Sequence, residues 1–350
     1  MESHVHATVG QPRRPWLRVN RWVFVRLGVL VGTLLLVPHC LMIRMPGSSY
    51  VGARPTADPE TVRRLTADVR RLAEEIGERN LDRPEQLAEA EGAITLAFEA
   101  AGYRVIREPY RVGEREVANL SVTVAGSVPN APILLIGAHY DSDIDCPAAN
   151  DNGTGVAALL ELARRFRTRT PPITVRFVAF VNEEPPYFQT DAMGSRVCAR
   201  NCRARGEEIL GMISLETMGY YSDEEGSQKY PPPLSLVYPS RGNFIAFVGN
   251  VSSRGWVRRL IGLYREHAQF PSEGAALPES LPGVGWSDHW SFWQEGYPAL
   301  MVTDTAPFRY PHYHQRTDTV DKVDFERLAT VVDGLDRALV ALSEESRDRD

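Results

Sequence analysis

The 350-residue sequence predicts an α/β fold: a mixed, mostly parallel central sheet with helices on both faces, preceded by one N-terminal transmembrane helix. Three observations carry that prediction. Four near-continuous apolar runs, Ile133 to Ile136, Ile173 to Val181, Ile209 to Leu215 and Pro298 to Thr303, have the pattern of strands buried on both faces. Segments of helical apolar spacing alternate with them, as parallel strands joined by crossovers require. A basic stretch followed by a long apolar one opens the chain.

Arg13, Arg14, Arg18 and Arg21 precede the segment 22–43, within which Leu27 to Ile43 is 17 residues long, the short end of what crosses a bilayer. Trp22 and Arg26 suit the membrane interface. The arginine bias predicts a cytoplasmic basic segment over 1–21, a signal anchor over 22–43 and the bulk of the chain outside the cytoplasm. A cleaved signal peptide is the other reading of the same residues. The formal net charge of −6 argues against nucleic acid as a partner. Cys40, Cys146, Cys198 and Cys202 are too few for a disulfide scaffold in a chain this long. In an exported domain the expected bridge joins Cys146 to Cys198 or Cys202, because the latter two stand one helical turn apart.

Residues 44–57 read as a linker and 58–345 as the globular domain. Asp58-Pro59-Glu60 is a helix start, with a capping carboxylate, proline at the first position and an acid in the first turn. Val62, Leu65, Val69, Leu72 and Ile76 continue it as one apolar stripe. A second helix runs from about Pro84 to Ala101 and stops at Gly102. Tyr103 to Val112 and Val117 to Val124 read as strands turned at Gly113. The Pro- and Gly-rich stretch 218–285, with a helix around Phe244 to His267 and a loop from Pro271 to Gly285, is expected to cover or shape a pocket. Asp324 caps a closing helix through Leu339.

Each of the four apolar runs carries polar residues at or beyond its C-terminal end: His139 and Asp141, with Asp151 a short loop later; Asn182-Glu183-Glu184; Glu216; and His312-Tyr313-His314. In open α/β sheets that edge is where ligands bind. A single such end is ordinary, but four are a site. His139, Asp151, Glu184, Glu216 and His314 offer nitrogen and oxygen donors without thiolate, a mixture that suits catalytic Zn²⁺ and suffices for a pair of ions. No G-x-S-x-G or H-E-x-x-H signature occurs.

The motifs H-Y-D-S, A-N-D-N-G-T-G, N-E-E, Gly194-Ser195, S-D-H at Ser287 to His289, and Y-H-Q-R-T-D-T at Tyr313 to Thr319 resemble, in order and context, those of the co-catalytic dizinc aminopeptidases. That family includes bacterial leucyl aminopeptidase, glutamate carboxypeptidase and glutaminyl cyclase relatives. The resemblance implies peptide substrates, two zinc ions per chain and Asp151 bridging them, with His139 and Glu216 on one ion and Glu184 and His314 on the other. It further implies Glu183 as general base and Asp141 orienting the His139 imidazole. Two features depart from the pattern: Glu216 stands where aspartate is more common, and the loop from Glu184 to Gly194 is long, as in the glutaminyl cyclases. A single-zinc glutaminyl-peptide cyclase is therefore the alternative. His289 is expected to support the pocket wall rather than bind metal, and Asp318 to orient His314 or stabilise a turn.

Overall fold

A computed structural model describes residues 1, 22, 24–27, 30 and 42–345. The chain divides into two compact units, Met1–Leu41 and Met42–Asp350, and the second holds the folded domain. Among the described residues no helix is long and apolar enough to cross a membrane; the expected span over 22–43 lies almost wholly outside them.

Among the described residues eight strands form one sheet: β1 (Ile106–Val112), β2 (Arg115–Val124), β3 (Ile133–His139), β4 (Thr174–Phe180), β5 (Ile209–Glu216), β6 (Ile245–Asn250), β7 (Ser272–Leu277) and β8 (Ala299–Thr303). Their spatial order is β1-β2-β4-β3-β5-β8-β6-β7. The centre is parallel, β4 with β3, β3 with β5 and β5 with β8, and so is the β6–β7 pair at one edge. Antiparallel pairings join β6 to β8 and attach the β1–β2 hairpin to β4.

Alternation along the central strands divides the core in two. Leu134, Ile136 and Ala138 of β3 face a cluster with α1 (Pro59–Arg70), α3 (Gly155–Phe166), α5 (Arg254–His267) and α8 (Phe325–Glu345). Leu135, between them, faces the opposite cluster with α4 (Gly194–Ala204) and α6 (His289–Trp293). The period of two in a strand covered on both sides produces this split. Among the described residues the other α-helices of the domain are α2 (Pro84–Ala100) and the short α7 (Ala306–Arg309), and a π-helical stretch, Arg71–Ile76, continues α1. The Asp58 carboxylate caps α1 through Thr61 N–H at 2.9 Å, and Asp324 caps α8 through Arg327 N–H at 2.9 Å, as their sequences predict.

Two expectations are corrected. The stretch from Phe244 is a strand before it is a helix: β6 precedes α5, and the expected loop from Pro271 contains β7. Ser-Glu-Gly-Ala-Ala-Leu has little strand character of its own, so pairing with β6 decides its conformation. The first residues of the expected linker are packed on the domain. Arg265 donates to Pro46 O at 3.1 Å, Ser272 N–H donates to Ser49 Oγ at 2.9 Å, and Met45 is buried, so these residues lie along α5 and edge strand β7. The expected disulfide does not form. Cys146, Cys198 and Cys202 are free: Cys146 Sγ donates to Gln315 O, while the other two are packed with α4 in the second core.

Candidate active site

Strands β4, β3 and β5 run side by side in the same direction, so their C-terminal ends arrive together. His139 ends β3 level with Phe180, three residues before Glu183, and Glu216 ends β5 beside it. Asp151 lies on the loop between β3 and α3, and His314 on the segment after α7. All five expected metal donors thus meet at one edge of the sheet.

The geometry within this cluster has two halves hinged on Asp151. Its Oδ1 lies 3.4 Å from His139 Nε2, which in turn is 3.3 Å from Glu216 Oε2. Its Oδ2 lies 3.1 Å from His314 Nε2, which is 3.3 Å from Glu184 Oε2. Glu183 Oε2 stands 3.8 Å from His139 Nε2. Both Asp151 oxygens and Glu184 Oε1 are buried without a hydrogen-bond partner. Buried polar atoms normally have partners, so these orphaned donors fit cations. His139, Asp151 and Glu216 are spaced to hold an ion, and so are Asp143, Glu184 and His314, and His139, Glu183 and Glu184.

The electrostatics point the same way. Burial raises the Glu183 and Glu184 carboxyls well above their ordinary value, and neighbouring carboxylates add to the effect. Burial opposes charge on His139, but Glu216, Glu183, Asp141 and Asp151 outweigh it and hold its pKa well above the usual imidazole range. Burial also works against ionised Asp151, yet His139 and His314 hold it below the ordinary carboxylate value. Glu216, Asp288 and Asp141 are buried as well. Acids packed this closely repel one another, and a divalent cation relieves them.

Residues around the donors fix their positions. Asp318 accepts from the N–H groups of Asn150 and Asp151 at 2.9 and 3.0 Å and from Tyr310 at 2.7 Å. It therefore holds the Asp151 loop and does not reach His314. Asn152 donates to Leu215 O at 2.8 Å and accepts from Thr217 N–H, tying that loop to the end of β5. Asp141 clasps the N–H groups of Glu183 and Glu184, both at 3.1 Å. Its 3.6 Å separation from His139 Nδ1 is too long for a hydrogen bond, so its main contact is with the Glu pair. Ser287 donates to Glu216 Oε2 at 2.7 Å, steadying the longer side chain that stands where aspartate is more common.

Sequence reasoning missed two contributors. Asp143 Oδ2 lies 3.4 Å from His314 Nδ1, and a second acid two residues after Asp141 was its only signal. Tyr313 stacks on the His314 ring at 3.9 Å and forms part of the cleft wall. Asp288, which the S-D-H motif leads one to expect on the pocket wall as a hydrogen-bonding support, is instead fully buried with both oxygens unpartnered, and burial pushes it up to about 7. His289, by contrast, has the supporting place expected of it: Nε2 bonds Val284 O at 2.7 Å, and burial lowers its pKa to about 4, so it is neutral. His312 pairs with Thr317, away from the cluster.

An apolar cleft opens beside the donors. Glu216, Thr217 and Tyr313 stand at its inner end. Ala246, Val248, Ala275 and Leu277 of β6 and β7 line it further out, and Tyr230 and Trp286 belong to its walls. Cleft and open mouth together enclose about 790 Å³.

A buried constellation of this kind at the parallel centre of an α/β sheet defines a metallohydrolase-type site. The chain belongs to peptidase family M28, whose sequence profile matches residues 119–336. It is 36% identical over 300 residues to the uncharacterized protein YfbL of Escherichia coli (strain K12), covering 82% of this chain and 90% of that protein. It is 26% identical to a probable zinc metalloprotease of Pyrenophora teres f. teres, covering 70% of this chain and 55% of that one. The chain thus spans about half the length of that relative. Among solved structures, BSAP, a zinc aminopeptidase from Bacillus subtilis, superposes with a TM-score of 0.65 at 14% identity over 83% of this chain and 96% of its own. Fimbriiglobus ruber glutaminyl cyclase superposes at 0.59 with 22% identity, over 82% and 98%. Both share the fold.

Proposed function

We propose that this peptidase is a zinc-dependent aminopeptidase that holds two ions and removes apolar residues from the N-termini of peptides. The observation that carries the reading is Asp151, whose two oxygens face different imidazoles at 3.4 and 3.1 Å. His139 and Glu216 complete one set of donors, Glu184 and His314 the other, with Asp143 behind His314. Zinc held there supplies Lewis acidity, polarising the scissile carbonyl and acidifying water. Glu183 takes the proton from the attacking water and hands it to the leaving amine. In the metal-free protein burial raises its carboxyl above the ordinary range, and cations bound beside it would favour the ionised form that a base needs. The Tyr313 phenol, beside the donors and on the cleft wall, is placed to donate a hydrogen bond to the carbonyl oxygen as it gains charge. The apolar cleft receives the side chain of the first residue, and its floor on β6 and β7 favours a large one.

Glutaminyl cyclase chemistry on one zinc is the second reading, favoured by the long loop after Glu184. Glu216, 3.3 Å from His139, weighs against it because a single ion on the Glu184 side leaves that pair unused. One assay separates the two. Phe-, Leu- and Ala-nitroanilides, their N-acetyl forms and an N-terminal glutaminyl peptide are offered to the zinc-loaded protein. The proposal expects release from the free amines, with Phe and Leu ahead of Ala by about tenfold or more, and none from the acetylated forms. Pyroglutamate formation without nitroaniline release would overturn it. We also assign residues 22–43 to a membrane anchor with the peptidase outside the cytoplasm; recovery of the full-length protein in the washed soluble fraction would refute that placement.

A further inference from the structure

The loop from Tyr140 to Ala148 separates His139 from the Asp151 turn, and its far side rests on a residue that the chemistry above does not use. Arg79, on the turn that ends the first helical segment, is completely buried. Its guanidinium makes all its hydrogen bonds to backbone carbonyls: Nε to Tyr140 O at 2.7 Å, Nη1 to Pro147 O at 2.8 Å, and Nη2 to Ala148 O at 3.1 Å. Nη1 also reaches Gly77 O and Leu72 O, at 3.1 and 3.4 Å, on its own side of the turn. The main chain joins in. Arg79 N–H donates to Ser142 Oγ at 3.0 Å, and Ser142 N–H returns a bond to Arg79 O at 3.1 Å. Its neighbours grip the same loop: Glu78 accepts from Asp145 N–H, and Asn80 donates to Ser142 O.

A buried cation without a carboxylate partner is costly, so an arginine here calls for an explanation. Its fork spans the two ends of the loop. Tyr140 directly follows the donor His139, and Ala148 lies three residues before the donor Asp151. Five planar donors in a fixed arrangement can set that spacing, whereas a lysine amine cannot. The turn lies outside residues 119–336, the stretch that matches the family profile.

We propose that Arg79 is a positioning residue, which holds His139 and Asp151 at ligand spacing before any ion arrives, so that zinc enters a preformed site. The inference rests on the zinc peptidase reading. A brace of this kind acts through the ligands, as outer-shell partners of metal ligands do, so its loss should weaken zinc binding about 10–100-fold. The test is zinc affinity of the full chain by competition with a chromophoric chelator, for wild type, Arg79→Lys and Arg79→Met. Both variants should bind zinc at least tenfold more weakly, and lysine should not rescue. Zinc-saturated Arg79→Lys should recover most of the wild-type kcat with little change in KM. Affinity within twofold of wild type in either folded variant would overturn the proposal. If the wild type itself binds no zinc, the peptidase reading fails instead. Should neither variant fold, hydrogen exchange of the wild type decides. Peptides covering 140–153 should stay protected to within about tenfold when zinc is stripped, and a hundredfold loss of protection would show that the ions, not Arg79, hold the loop.

Discussion

Replacing Glu183 with glutamine keeps the shape of the side chain and removes its charge. The loop should survive, because Asp141 holds the Glu183 N–H at 3.1 Å whatever side chain follows. General acid–base assistance is worth about 10²–10⁴-fold, so kcat should fall by that factor, or about 2.7–5.4 kcal/mol of barrier. KM should change by no more than about threefold, since no ground-state contact is lost. A second effect has the opposite sign. Burial, with Glu216 and Asp288 adding and His139 opposing, makes an ionised Glu183 unfavourable in the metal-free protein. The neutral amide avoids that cost, and a gain of about 1 kcal/mol should raise the melting temperature of the chelated variant by about 2 °C. Steady-state kinetics with zinc content measured in the same preparation, and thermal melts in chelator, read both effects. Retention of a tenth or more of wild-type kcat would refute the base assignment, and a lowered metal-free melting temperature would refute the electrostatic argument.

Two further outcomes follow from charges elsewhere. Glu161, fully buried on α3, accepts two bonds from Arg64 at 2.8 Å and one from Arg165 at 2.9 Å. Glu161→Gln should cost about 3 kcal/mol in urea unfolding, the usual penalty for stranding one side of a buried pair, and leave kcat per folded molecule unchanged; a loss under 1 kcal/mol would contradict it. The metal-free protein should become less stable from pH 6.5 to 9. His139 and His314 titrate above the ordinary imidazole value, and Glu183, Glu184 and Asp288 above the carboxylate value, the last at about 7. The folded state therefore holds more protons than the unfolded chain across this window, and stability is fullest at its acid end. Urea melts that are flat or rise with pH would count against this.

The site was legible because His139, Glu184 and Glu216 sit at or just beyond the ends of apolar strands. Ile133 to Ile136 and Ile173 to Val181 read as buried strands without tertiary information, and the polar residues after them had nowhere to go but the sheet edge. Strand β7 was not legible: Gly274, Ala275 and Ala276 carry no period, and the backbone bonds to β6 make it a strand. The supporting shell was equally hidden. Asp318 lies 167 residues from Asp151, and the hydrogen bond between them comes only from the fold. Ser287 reaches Glu216 across 71 residues by the same route. The disulfide expectation failed for a related reason: spacing says nothing about which side of the sheet a cysteine occupies, and Cys146 bonds Gln315 O while Cys198 and Cys202 are the buried cysteines of α4 in the second core.

The central claim is that one carboxylate joins two cation sites. Zinc counted per chain by mass spectrometry under native conditions, for the wild type and for Asp151→Ala, tests it most directly. The account predicts two ions in the wild type and the loss of both together in the variant. One ion in an active wild type, or two tightly held ions in the variant, would contradict it.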